Sequence, residues 1–124
     1  MNTPDCMQIL EEFARFSPQG KVTLEQAIAQ ISRAIGYCRQ AKHERLLVDI
    51  TALSGFKSPP IGARYWFVQE WAREADGQVT IAMVARPDYI DPEKFGVLIA
   101  ANAGLKGNVF ASEPEALDWL LEQS

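Results

Sequence analysis

The chain has 124 residues, 48% of them hydrophobic and 23% charged, and sixteen acidic against twelve basic side chains leave a net charge of -4. This is the make-up of one soluble globular domain, 1–124, large enough for a core without staples; the acidic balance speaks against nucleic acid, whose phosphates draw on Lys and Arg, and no apolar run is long enough to span a bilayer. Two distant cysteines, Cys6 and Cys38, and a single His exclude a conventional zinc site and a redox pair, and with no basic-then-apolar leader at the start the reading is a cytoplasmic protein with reduced thiols, no metal and no cofactor.

Residues 1–8, with Pro4 and Asp5, read as a loosely ordered start. The segment 8–16 carries Ile9, Leu10, Phe13, Ala14 and Phe16, which fits an extended edge strand, with a short helix as the alternative. Ser17-Pro-Gln-Gly20 is a turn. Thr23-Leu-Glu-Gln26 has the form of a capping box, and Leu24, Ala27, Ile28, Ile31, Ile35 and Cys38 follow at helical spacing. That helix is expected to run from 24 to about 41. His43, in the charged run Lys42-His-Glu-Arg45, belongs to a solvated turn.

The near-continuous apolar run at 46–50 is a buried parallel strand. It ends in the loop Thr51-Ala-Leu-Ser-Gly-Phe-Lys-Ser-Pro-Pro60. Ser58 is expected as the N-cap of a second helix, with Pro59 at its first position and its end at Asp76-Gly77. The β-rich, doubly apolar segment 78–85 is a central strand. After the loop Arg86-Pro-Asp88, Asp91 caps a third helix beginning at Pro92 and closed by Gly104. A short strand at 108–110 and the capping box Ser112-Glu-Pro-Glu115 lead into a last helix through 121. Such alternation predicts an α/β fold: a single-domain, mixed but mostly parallel sheet of four or five strands with about four helices.

The candidate site residues cluster where the central strands end, the edge on which α/β sheets usually bind. Asp49 interrupts an apolar strand; it is either a cap on the N–H groups of the following loop or a ligand-facing carboxylate, since a bare buried charge is costly. Ser58, then Ser54, then Thr51 are hydroxyls near a helix N-terminus, where an added phosphate is favoured by the dipole and free N–H groups. Arg86 is placed to pair with Asp49 or to hold an anion. On the second helix Ile61, Tyr65, Val68, Ala72 and Ala75 share one face, flanked by Phe67 and Trp71, while Trp66 points nearly opposite among polar residues. An exposed Trp is a candidate anchor for a protein partner or a second copy; Trp119 is a weaker candidate of the same kind. An apolar pocket under the helices carrying Tyr65, Trp71, Phe95 and Leu98 would suit a small apolar or lipid ligand. No nucleophile elbow, phosphate-binding glycine loop or paired acid and base is present. The chain therefore reads as a non-enzyme.

Leu46-Leu-Val-Asp-Ile-Thr51, the aromatic helix around Tyr65 and Trp71, Val84-Ala-Arg-Pro87, Ile90-Asp-Pro-Glu-Lys-Phe-Gly96 and Glu115-Ala-Leu-Asp-Trp-Leu120 occur in an order that resembles the STAS-like family, in particular its SpoIIAA-like branch. The resemblance covers about residues 20–122 and implies a regulatory, non-catalytic module built like the anti-sigma-factor antagonists, in a fold also similar to the lipid-carrying CRAL-TRIO domains. The antagonists carry a phosphorylatable Ser in an Asp-Ser-type sequence at the start of the helix after this strand. Here neither Ser54 nor Ser58 stands in that sequence.

Overall fold

The computed structural model describes residues 3–123. The order of elements is β1 (Met7–Ile9), β2 (Ala14–Phe16), β3 (Gly20–Lys21), α1 (Leu24–Ala41), β4 (Arg45–Asp49), β5 (Leu53–Ser54), α2 (Ile61–Ala75), β6 (Thr80–Val84), α3 (Phe95–Asn102), β7 (Gly107–Phe110) and α4 (Glu113–Glu122), with a single 3-10 turn at Pro87–Tyr89. Five strands form one sheet in the order β1-β2-β4-β6-β7. Only the β1–β2 pair is antiparallel.

The expected edge segment is thus a hairpin. Leu10 N–H donates to the Phe13 carbonyl at 2.9 Å and turns the chain between two three-residue strands. Met7 and Gln8 pair with Phe16 and Arg15, so order begins earlier than the sequence suggested; Met1 and Asn2 lie outside the described residues. β3 and β5, which hydrophobic patterning did not reveal, pair in parallel as a separate two-stranded ribbon. Gly55 follows β5 at φ +102°, where a Cβ would strike the Val22 carbonyl, so only glycine fits this crossing without strain.

From β2 onward each parallel strand lies beside the one before it, and the crossovers α1, α2 and α3 share one face of the sheet. Strand alternation then divides the core. Leu46, Val48 and Ile81 point toward α1–α3, together with Ile31, Ile35, Trp71 and Ala100. Leu47, Ala82 and Val84 point the other way and pack on Ala116 and Leu120 of α4. Trp119 sits here, 6.0 Å from Phe110 and partly buried, which corrects the expectation of a second exposed anchor.

The helix ends follow their local chemistry with two exceptions. Thr23 and Gln26 form the reciprocal capping box, at 3.1 and 2.9 Å. Ser58 does not cap α2. That helix begins at Ile61 after an extended Pro60 and has no side-chain cap. The reason is Pro59-Pro60: the residue before a proline is pushed out of the helical region, so Pro59 cannot be the first helical residue. α3 likewise starts at Phe95, three residues later than expected, although the Asp91 carboxylate does accept from the Phe95 N–H at 2.8 Å. Among the described residues no helix is long and apolar enough to cross a membrane.

Candidate functional site

The carboxyl ends of β4 and β6 open into two loops, 50–60 and 85–94. They are joined by Arg64 of α2. Its Nε donates to the Pro59 carbonyl at 3.0 Å, and its Nη2 to Ser58 Oγ at 2.7 Å and to the Tyr89 carbonyl at 3.2 Å. The Tyr89 hydroxyl in turn donates to the Phe56 carbonyl, and the two rings meet edge to face at 5.6 Å.

Beneath these loops lies an apolar cavity of about 130 Å³, between the sheet and α1, α2 and α3. Ile28, Phe56, Phe67, Trp71, Tyr89 and Val97 are among the side chains that line it. The Trp71 indole N–H is satisfied by the Ile28 carbonyl at 3.3 Å, so the wall presents carbon. Three charged residues reach the lining: Arg64, Asp91 and Lys94. Lys94 Nζ donates to Asn108 Oδ1 at 3.0 Å and sits 5.1 Å from the centre of the Phe110 ring. Among the described residues no carboxylate forms an ion pair with Arg64. Burial pushes its pKa below the ordinary arginine value, and the more distant charge of Asp91 partly offsets this.

Of the residues singled out in the sequence, Ser58 belongs to this cluster through Arg64, whereas the others fall elsewhere. Asp49 Oδ1 accepts from the Thr51 N–H at 2.9 Å and from its hydroxyl at 2.6 Å, the expected cap on the following loop. Its charge partner is Arg15 of β2, at 3.8 Å, not Arg86. Arg15 also pairs with Glu113, at the start of α4. This arrangement follows from strand alternation: Asp49 points to the α4 face with Leu47, away from the cavity. Arg86 is exposed, with its guanidinium 4.7 Å from the centre of the Tyr89 ring. Thr51, Ser54 and Ser58 are exposed too.

Trp66 is 75% exposed. Tyr65 is not on the buried face as the wheel implied: it is 51% exposed, Ile61 is 54% exposed, and Tyr65 meets Trp66 edge to face at 6.3 Å. The wheel gives direction and not what lies opposite; the stripe finds the core only from Val68 onward. Of the expected pocket residues Trp71 lines the cavity, whereas Leu98 is 56% exposed on α3 and the wall there is Gly96, Val97 and Ala100. Arg64 was missed, yet a signal existed. It stands four residues before Val68 and seven before Trp71, a cation on the apolar stripe.

Among the described residues no group of three or more His, Cys, Asp and Glu converges as a metal site would need. No family model matches the chain, and no curated protein matches it. It is similar to the crystal structure of an anti-sigma factor antagonist from Mycobacterium paratuberculosis, at 16% identity and a TM-score of 0.58, over 92% of this chain and 90% of that one. Identity this low speaks for architecture alone. The five-stranded, mostly parallel sheet with four helices is a STAS-like fold.

Proposed function

We propose that this chain is a non-catalytic regulatory module that binds a protein partner, or a second copy of itself, through the first two turns of α2 and the loop before them. One observation carries the reading: Ile61, Tyr65 and Trp66 are more than half exposed on a helix whose later turns are buried. Large aromatic side chains without cover are the usual anchors of an interface. The solved antagonist of the same architecture supports the choice of a binding role over a chemical one. Ser58 is the natural switch point. Its hydroxyl already takes a hydrogen bond from Arg64, and a phosphate in its place would convert that bond into a charge-assisted one beside the start of α2. Ser54 and Thr51 are poorer choices, since Thr51 is tied to Asp49 and Ser54 lies on β5. The test compares the purified protein with Trp66→Ala by sedimentation equilibrium and by affinity capture followed by mass spectrometry. Self-association or a retained partner is expected to weaken by roughly 2 kcal/mol, about thirtyfold, on losing the indole. A strictly monomeric protein with no Trp66-dependent partner overturns the reading.

A second reading rests on the cavity. Its carbon-lined wall favours a small apolar ligand. At about 130 Å³ it falls below the roughly 300 Å³ at which drug-sized sites begin, so a short tail suits it better than a long acyl chain.

A further inference from the structure

We infer that the cavity takes a small organic anion, a monocarboxylate of about six carbons in all, whose tail lies against Phe67 and Trp71 and whose carboxylate is held by Arg64. This rests on the second reading above and names its ligand class. The tail is set by size. A cavity of roughly 150 Å³ is known to accept a benzene ring, and this one is about 130 Å³. The head is set by charge. The Arg64 guanidinium has five N–H donors. Three hydrogen bonds hold its Nε and Nη2, and every acceptor is neutral: two backbone carbonyls and a hydroxyl. Neutral acceptors fix the orientation of the group and leave it without an ion-pair partner, with only the more distant charge of Asp91 to offset its own. Nη1 has no partner among the described residues. Asp91, the acid whose charge acts on Arg64, accepts from the Phe95 N–H through its Oδ2 and forms no ion pair with Arg64.

With Lys94 also in the lining, two cations face one carboxylate, which leaves the cavity positive overall. An amine would meet repulsion there, and an alcohol would gain the apolar contact but not the charge. A carboxylate gains both, because a hydrogen bond between ionised partners is about twice as strong as a neutral one.

The test follows the Trp71 indole N–H resonance while unlabelled hexanoate, hexan-1-ol or hexylamine is added at neutral pH. Hexanoate is expected to bind about tenfold more tightly than hexan-1-ol, with hexylamine the weakest. Added salt should erode the hexanoate advantage and leave hexan-1-ol unchanged, a control that needs no variant. Arg64→Gln should bring hexanoate to within about twofold of hexan-1-ol by removing the charge-assisted bond. Should that variant fail to fold, the salt series on the unaltered protein decides. Equal affinity for acid and alcohol would overturn the anion assignment and leave the apolar-ligand reading standing. If none of the three shifts Trp71, that reading and the assignment fall together.

Discussion

Cys38 and Arg64 both lose water on folding, and each is driven toward its uncharged form. For an acid that means a higher pKa and for a base a lower one. Burial pushes the Cys38 thiol from 9.0 up to about 12. Cys6, by contrast, is exposed. A thiol reagent at pH 8 should therefore react promptly with one equivalent, at Cys6, and reach Cys38 only after denaturant is added; prompt release of two equivalents contradicts the burial. The sign of the linkage follows. Because the folded-state value is the higher one, the contribution of Cys38 is complete below pH 9, and stability declines as pH rises from there toward about 12. Denaturant midpoints across that window measure it. At this scale the sequence was informative about residues with local partners. Asp49 caps the loop after its strand, one of the two readings the sequence offered, and Asp91 still takes the Phe95 N–H although the helix starts three residues later than expected, because these partners lie only two and four residues away. Of the two readings offered for Arg86, pairing with Asp49 fails, because the 3-10 turn after Arg86 brings it over the Tyr89 ring and the partner of Asp49 comes from a strand more than thirty residues earlier.

The helices show what local wording can and cannot specify. Thr23-Leu-Glu-Gln26 closes both halves of its box, and α1 begins one residue after Thr23. Ser58-Pro-Pro60 looks like the same kind of signal and is not, because the second proline excludes the first from the helix. The two positions should respond differently. Thr23→Ala is expected to cost about 1 kcal/mol in urea unfolding through loss of the cap. Ser58→Ala should cost less than half of that, about 0.5 kcal/mol at most, since it removes one exposed hydrogen bond. If Ser58→Ala were the costlier change, the helix would have to start where the sequence first placed it. β3 and β5 escaped notice for a related reason: two residues each give no periodicity to read.

Over the whole molecule the apolar strands at the centre made the architecture legible. β4 and β6 are flanked on both sides by other strands and covered on both faces, and the continuous hydrophobic run of each is the signature of that position. An apolar pocket under the second and third helices was expected and Trp71 does line the cavity, but Tyr65, Phe95 and Leu98 do not, since the shape of an unfilled volume arises from how three helices meet and leaves no mark on any one of them. Native-state hydrogen exchange should follow the same order. Amides of β4 and β6 are expected to exchange most slowly, by global unfolding, and those of β1 and of the β3–β5 ribbon by local opening. Protection in β1 equal to that in β4 would contradict this division. Arg64 adds a mechanical link between the parts. One side chain splices the loop after β4 to the loop after β6, and it springs from the helix that carries Trp66. A change at that guanidinium therefore touches the anchoring of both loops at once, two residues from the most exposed ring of the helix.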